Sequence, residues 1–513
     1  MTKKTYYITT PIYYPSGKFH IGTAYTTVLA DFLARYKRNQ GYEVRFLTGM
    51  DEHGMKIQEK AKEASQNPQD FVDTLAISAQ ELWDKLDISE HKFIRTTDIK
   101  HKELVTKIYN KMFEQGDIYK GKYSGLYCTP CETFLTQTQS VDNKCPDCGR
   151  EVSVTEEECY FFNMKKYEER LKNFYEENPN FLEPSYRKEE LYNNFIKPGL
   201  EDLCISRTTF DWGIKLPNDP KHVLYVWLDA LCNYITHLGY LSEDESDFNR
   251  FWPADLQIVG KDIIRFHAIY WPIFLFALDL PLPKKLYAHG WILMKDGKMS
   301  KSKGNVIYPD TLADKYGVDA LRYVLIKVLG YGSDAEFSPE TFVEKYNSDL
   351  CNDLGNLLNR TIAMVNKYFY GNIEEVETKT EHDSWIENIS SSSIENFHKN
   401  IEELHFSNAL EELWHLISQS NKYIDLTTPW DLAKNDNKKE ELKSVLYHLI
   451  SNLKDFAYEI EPLMPNTSKN ILNQLGCASK EQTKFKVVEK GTPLFLRLDV
   501  EQAIEEIKEL MSN

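Results

Sequence analysis

The chain has 513 residues, 42% of them hydrophobic and 27% charged, with a formal net charge of −17. That length exceeds one compact core and implies several domains, and the hydrophobic fraction excludes a disordered chain. The acidic balance excludes nonspecific, charge-driven nucleic-acid binding, because neutralising phosphates needs a positive surface; any RNA contact has to be local.

The amino terminus passes from Met1-Thr-Lys-Lys straight into a strand-like run, Tyr6 to Thr10. Neither a secretory hydrophobic stretch nor an Arg/Ser-rich transit segment is present, so a cytoplasmic location is expected. A Pro- and Gly-containing loop, Pro11 to Gly22, leads to a helical period from about Tyr25 to Asn39, with Gly41 as stop and a strand from Val44 to Thr48. Strand, loop, helix and strand make a βαβ unit. A second set follows much later, with strands at Tyr225 to Leu228 and Leu256 to Val259, an apolar helix from Ile263, and a strand-like run Lys285 to His289. The most apolar stretch, Ile263 to Leu280, is broken by Arg265, His267, Pro272 and Asp279, and reads as a buried helix, not a membrane span.

Between the two halves, roughly Gly116 to Val223, lies an insertion with clustered cysteines and a Glu/Lys-rich helical stretch. From about Leu350 the pattern turns helical, with Leu354, Leu357, Leu358, Ile362 and Val365 at three- and four-residue spacing. Ser390 to Ser393 and Asn435 to Glu440 are polar tracts that read as loops. The expected fold is α/β: a split Rossmann-like nucleotide-binding domain in halves 1–116 and 224–291 around a connective insertion, 117–223. A loop-bearing region, 292–349, and an α-helical bundle, 350–513, complete it.

His20-Ile21-Gly22-Thr23 stands after the first loop and directly before the helix. A helix start offers unpaired N–H groups and partial positive charge, Gly22 permits close backbone approach, and His20 can donate to a phosphate. Alone, such a segment also reads as a loop with a packed histidine. Lys298-Met299-Ser300-Lys301-Ser302, between Lys295-Asp296-Gly297 and Lys303-Gly304, is a cationic, glycine-flanked loop. Adenylyl transfer spreads charge over the α-phosphate and the departing pyrophosphate, which ammonium and imidazole donors can stabilise.

Cys128-Thr-Pro-Cys131 and Cys145-Pro-Asp-Cys148 are two CxxC pairs. Four thiolates at such spacing can close a tetrahedral structural zinc site; two disulfides are disfavoured in a reducing compartment. Cys159, Cys204, Cys232, Cys351 and Cys477 are isolated and read as packed residues.

His20-Ile-Gly-Thr resembles the first signature of class I aminoacyl-tRNA synthetases, and Lys298-Met-Ser-Lys-Ser matches their second. Longer segments resemble the methionyl members: Thr9-Thr-Pro-Ile-Tyr-Tyr-Pro-Ser-Gly, Phe46-Leu-Thr-Gly-Met-Asp-Glu-His-Gly, Tyr225-Val-Trp-Leu-Asp-Ala-Leu and Val259-Gly-Lys-Asp-Ile-Ile-Arg-Phe-His. The resemblance spans nearly the whole chain and implies methionine activation with ATP, Mg²⁺ accompanying the nucleotide, and transfer to tRNA(Met). It implies that His20, Gly22, Thr23, Gly260, Asp262, Lys298 and Lys301 contact ATP, with His20, Lys298 and Lys301 catalytic. Thr23 replaces the second histidine of the signature, leaving a hydroxyl there.

By the same resemblance, Asp51 pairs with the substrate ammonium, and Ile12, Tyr14, Trp227, Tyr234, Ile263, Phe266, His267 and Trp271 form the methionine pocket. On residues alone, Asp51 also reads as a helix N-cap and the rings as core. Leu231 stands where some members have proline. In the helical domain Asn356, Arg360 and Trp430 are implied to read the anticodon, Trp430 by stacking; without the resemblance they are a helix-surface pair and a core tryptophan. Many methionyl members also carry a zinc knuckle in the insertion.

Class I enzymes for isoleucine, valine or leucine share both signatures but carry a large editing domain, for which this insertion is too small. A cysteinyl enzyme would hold zinc in its active site. A noncatalytic relative is opposed by intact His20, Asp51, Lys298 and Lys301, and a small-molecule nucleotidylyltransferase would lack the long helical region. Members often continue into a dimerising tRNA-binding domain, and with the chain ending at Asn513 a monomer is expected.

Overall fold

The computed structural model describes residues 3–15, 17–128, 133–135, 140, 142–146, 149–295, 297–299, 305–377 and 380–512. The chain divides into two compact units: Met1–Phe19, Lys37–Asp84 and Ile88–His289 in one, His20–Tyr36, Lys85–Asp87 and Gly290–Asn513 in the other.

In chain order the elements of use here begin with β1 (Thr5–Tyr13), α1 (Ile21–Asn39), β2 (Glu43–Met50), β3 (Lys92–Arg95) and α2 (Ile99–Glu114). They continue with β4 (Ile118–Cys128), β5 (Ser153–Phe162), β6 (Leu182–Glu183), α3 (Val226–Leu231), α4 (Asn233–Thr236), β7 (Leu256–Gly260) and β8 (Leu286–His289). The first unit is built on a six-stranded sheet in the order β3-β2-β1-β7-β8-β6. Its pairings are all parallel, with Ile8 opposite Phe46 on one side and Leu256 on the other. Parallel strands are covered on both faces, which is why β7 and β8 are buried at every position. Tyr7, Leu47, Val259, Trp271, Phe274 and Ala288 belong to one buried cluster around this sheet.

Strand order reverses between β1 and β7, and open α/β sheets bind ligands beyond the carboxyl ends of strands at such a point. There the register of β1 against β2 shifts between Thr9 and Ile12, around Pro11, which has no N–H to give the ladder. The shift re-aims Ile12 and Tyr13.

One expectation for this unit is corrected. Tyr225 to Leu228 does not form a strand: the preceding strand ends at Leu224 and α3 begins at Val226. A short apolar run fits a buried strand or a buried helix equally, and here the long-range partners of Asp229 favour the helix. The helix expected from Ile263 is present as one continuous helical run: it enters through a 3-10 turn (Lys261–Ile263), widens to a π turn (Phe266–Tyr270) and ends as an α-helix (Trp271–Ala277). π turns recur at functional sites because they rotate side chains out of the regular helical face.

In the insertion β4 and β5 run antiparallel from Ile118 opposite Phe162 to Tyr127 opposite Ser153. The second unit includes α5 (Val318–Val328), α6 (Asn356–Phe369), α7 (Asp383–Glu402), α8 (Phe406–Thr427), α9 (Pro429–Leu432), α10 (Lys439–Ile460) and α11 (Pro465–Leu475). The expected helical character holds, with a small antiparallel pair, Asn372–Glu374 and Lys484–Lys486, that periodicity did not reveal. Ser390 to Ser393 lie inside α7 instead of a loop, with Ser390 and Ser393 on the buried face beside Ile386, Phe397 and Ile401. Serine costs only about 0.5 kcal/mol against alanine in a helix, and packing overrides it. Within the other polar tract, Asp436–Lys438 forms a 3-10 turn and α10 starts at Lys439. No helix among the described residues is long and apolar enough to cross a membrane.

Candidate functional site

In the second unit the two signature segments meet. His20 precedes the first residue of the 19-residue α1, whose first turn carries no acidic side chain to offset its positive end. The His20 carbonyl accepts from the Thr23 and Ala24 amides at 3.0 and 3.1 Å. Its ring folds back, so that Nδ1 accepts from the Gly22 amide at 3.0 Å. A neutral ring held this way keeps its proton on Nε2, the atom that can donate to a phosphate oxygen. A Cβ at Gly22 would stand 2.9 Å from His20 Cε1 and 3.4 Å from Met299 Cε. A larger residue there would have to push the His20 ring aside, and Met299 of the lysine-rich segment lies against the helix start. The Ile21 amide donates to the Ile307 carbonyl at 3.0 Å, tying the helix start to the chain that follows that segment. Lys301 lies outside the described residues, as does the side chain of Lys298.

Of the residues expected to contact methionine, Ile12, Tyr14 and Asp51 lie at or just beyond the carboxyl ends of β1 and β2 and Ile263 shortly after β7, while Trp227 and Tyr234 lie on α3 and α4 and Phe266, His267 and Trp271 on the helix after β7. Asp51 follows β2, is 8% exposed, and its amide donates to the Tyr13 carbonyl at 3.0 Å. The next residues are held tightly: the Glu52 amide donates to Thr96 Oγ1 at 2.9 Å, and the Glu52 carboxylate accepts from Arg95 Nε at 2.6 Å and from Thr97. Trp212 Nε1 donates to the Glu52 carbonyl at 2.6 Å. Burial raises the Glu52 pKa even against these partners.

Trp227 and Phe266 stack with centroids 3.6 Å apart and planes within 6°, and Phe266 meets Tyr270 edge-on at 5.3 Å. Tyr234 packs on Trp271 at 5.7 Å. Burial lowers the His267 pKa to about 4, so the ring is neutral at pH 7. Nδ1 lies 3.0 Å from the Ile263 carbonyl, which can only accept, and this fixes the ring proton there. Nε2 then accepts the Tyr234 hydroxyl hydrogen at 2.7 Å. Ile12, Tyr14 and Ile263 are half-buried, with Lys56 over the Tyr14 ring at 5.3 Å. Gly260 ends β7 and Asp262 is exposed in the turn that follows. Packed rings with few fixed hydrogen-bonding directions suit an uncharged, polarisable side chain.

In the helical domain Asn356 and Arg360 share the exposed face of α6, with Arg360 3.6 Å from Asp425. Trp430, on α9 after Pro429, is 42% exposed, which is inconsistent with a core tryptophan.

A family model described as tRNA synthetases class I (M) matches residues 6–157 and 149–362, and one for the anticodon-binding domain of tRNA ligases matches 383–512. The chain is 53% identical to the methionine–tRNA ligase of Bacillus subtilis over 527 residues, covering 98% of this chain and 79% of that protein. The chain belongs to the class I methionyl-tRNA synthetase family. The corresponding ligase of Oceanobacillus iheyensis is 51% identical, with 100% of this chain and 80% of that protein covered. A methionyl-tRNA synthetase of Mycobacterium tuberculosis, solved in complex with methionyl-adenylate, superposes with TM-score 0.92 at 37% identity, covering 96% of this chain and 100% of that one.

Cys128 and Cys145 are buried in one small cluster with Leu126 and Leu135, while Cys131 and Cys148 lie outside the described residues. The chain around Cys145 turns tightly: its amide donates to the Arg150 carbonyl and its carbonyl accepts from the Gly149 amide, both at 2.8 Å. Gly149 takes φ 71°. Two buried thiols in one cluster, Cys128 at the end of β4 and Cys145 on a tight turn, fit a zinc knuckle. A second group, Glu158, Asp219 and His222, brings candidate ligand atoms within 4.8 Å of one another. Its cation position is taken by Lys120, whose Nζ is 2.8 Å from both carboxylates, so this is an ion-pair network.

Residue patterns missed the buried polar links behind the pocket. His53 Nδ1 is 2.6 Å from Asp229 Oδ2, and His101 Nε2 is 2.8 Å from Asp229 Oδ1. Contacts at such sequence separations leave no local periodic signal.

Proposed function

We propose that the chain activates L-methionine with ATP and transfers it to the 3′ end of tRNA(Met), for initiation and elongation. The observation that carries this reading is the meeting of the two signature segments at the start of α1, in a member of this family. In the first step the methionine carboxylate attacks the α-phosphorus of ATP, and pyrophosphate leaves with the electron pair of the broken P–O bond. His20 Nε2 donates to the phosphates, Thr23 and the amides of the helix start add donors, and Lys298 and Lys301 neutralise charge developing on the departing group. Gly260 and Asp262 hold the nucleoside. In the second step the terminal ribose hydroxyl of the tRNA attacks the acyl carbon of methionyl-adenylate, and AMP leaves.

Asp51 holds the α-ammonium, while Ile12, Tyr14, Trp227, Tyr234, Ile263, Phe266, His267 and Trp271 enclose the thioether. Asn356, Arg360 and Trp430 read the anticodon. Cys128, Cys131, Cys145 and Cys148 hold one structural zinc, which supplies folding energy to the insertion and takes no part in adenylation. Mg²⁺ binds with ATP and offsets phosphate charge. A cytoplasmic monomer completes the reading, and gel filtration at working concentration tests its second half.

ATP–pyrophosphate exchange across the twenty amino acids tests the activity. Methionine alone should stimulate exchange; stimulation by another amino acid, or by none, would overturn the proposal.

A further inference from the structure

Asp229 is 1% exposed, and both its oxygens are held by imidazoles that are themselves buried, His53 at 4% and His101 at 2%. The distances are 2.6 Å from Oδ2 to His53 Nδ1 and 2.8 Å from Oδ1 to His101 Nε2. His101 Nδ1 lies 2.8 Å from Thr236 Oγ1. Burial alone would push Asp229 toward its neutral form, but the two histidines outweigh it and its pKa is lowered to about 2. The group is thus a carboxylate at pH 7 and can only accept. Both rings must present N–H to it, which fixes the proton of His53 on Nδ1 and that of His101 on Nε2. His101 Nδ1 shares a hydrogen with the Thr236 hydroxyl. Every link of the chain then has one donor and one acceptor.

What this network joins gives it a role beyond packing. His53 lies two residues after Asp51, Asp229 two after Trp227, and Thr236 two after Tyr234. Three chain segments that each carry a proposed methionine contact are therefore tied through one carboxylate and one α2 histidine. Replacing buried polar networks by apolar residues is often neutral or stabilising, so stability is a weak reason for such an arrangement. Directional bonds with fixed tautomers, in contrast, set the mutual register of the elements they join.

We infer that His53, Asp229, His101 and Thr236 are positioning residues that set the geometry of the methionine pocket, and so the KM for methionine, without acting on ATP. The inference rests on the proposed assignment of Asp51, Trp227 and Tyr234 to that pocket.

The test uses the full chain, with initial rates of ATP–pyrophosphate exchange, methionine titrated by intrinsic tryptophan fluorescence, and thermal melts as a check of folding. Asparagine places an N–H where His53 Nδ1 stands, and glutamine places one where His101 Nε2 stands; alanine places none. His53→Ala and His101→Ala should each raise the methionine KM and Kd by about tenfold or more, with kcat and the ATP KM within about threefold of wild type. His53→Asn and His101→Gln should restore the methionine KM to within about threefold. Asp229→Asn should resemble the alanine variants, since its amide turns one acceptor into a donor facing an N–H. The inference is overturned by an unchanged methionine KM in folded His53→Ala and His101→Ala. Equal rises in both substrates' KM, or Asn and Gln variants as impaired as the alanines, would overturn it too. Should any alanine variant not fold, the Asn and Gln variants decide on the same criteria. Absence of methionine-dependent exchange in the wild type would instead remove the proposed function, while fluorescence still reports whether the network affects methionine binding.

Discussion

Arg322 Nη2 lies 2.6 Å from Asp31 Oδ2, and neither side chain retains any exposure. Asp31 sits on α1, the helix whose start carries His20 and Gly22, and Arg322 on α5. The remaining guanidinium hydrogens are also used: Nε donates to the Leu463 carbonyl at 2.7 Å, Nη1 to the Leu86 carbonyl at 3.1 Å, and Nη2 to that of Pro462 at 3.2 Å. Asp31 accepts in addition from Arg35 Nε at 2.9 Å.

A buried charge so fully partnered is tolerated; half of the pair is not. Arg322→Met should cost about 3–5 kcal/mol, because it leaves buried Asp31 with Arg35 as its remaining cation and strips three buried carbonyls of their donor, and Arg322→Lys should recover only part, since an ammonium lacks the planar fork. Urea unfolding checks both: the midpoints should rank wild type, then lysine, then methionine. A methionine variant as stable as the wild type would show that the pair carries no net stabilisation.

Acid should weaken the fold through the pocket histidine. Burial lowers the His267 pKa from the ordinary 6.5 to about 4, so on acidification the unfolded chain takes up the proton first. Stability is then greatest above pH 6.5 and falls toward pH 4, by on the order of 3 kcal/mol for this group at about 1.4 kcal/mol per pH unit. His237, which burial lowers to about 3, adds a loss of the same sign. Urea midpoints measured every half unit between pH 7 and 4 should show a shallower decline in His267→Gln than in wild type; identical slopes would place the loss elsewhere.

How far residue patterns reached depended on the range of the interactions. The βαβ opening was legible because β1 and β2 are runs of apolar and β-branched residues flanking one periodic apolar helix, and the place of His20 and Gly22 at a helix start because that boundary is set by adjacent residues. Tyr225 to Leu228 was misread because its helical state depends on Asp229 reaching partners 176 and 128 residues away. The seam between Gly22 and Met299 was likewise invisible without resemblance, since nothing local links residues so far apart.

Metal removal should separate the insertion from the rest of the chain. Elemental analysis of protein purified without chelator is expected to give one zinc per chain. Cys145→Ser should lower that occupancy, because serine is a poor ligand for zinc at pH 7 and Cys145 is one of two described thiols in the buried cluster. Proteolysis after zinc removal should cut within residues 128–150 first, while methionine-dependent exchange persists in the short term. Protein purified free of zinc and equally resistant there would argue against a metal knuckle.

At the proposed phosphate site Gly22 packs directly against the His20 ring. A Cβ at residue 22 would stand 2.9 Å from His20 Cε1 and 3.0 Å from His20 Nδ1, closer than non-bonded atoms settle, so Gly22→Ala must swing the imidazole away. The ring then loses the Gly22 amide that fixes its tautomer, and Nε2 no longer points where a phosphate oxygen would lie. Removing one positioned donor from a charge-stabilising site typically costs on the order of a hundredfold in rate, so the exchange kcat should fall by about that factor. Methionine KM should stay near the wild-type value, because the pocket rings belong to other elements. His20→Ala should be about as slow, and the double variant little slower than either single one, since both changes remove the same donor. Multiplying losses in the double variant would mean that Gly22 acts on phosphate directly and not through His20.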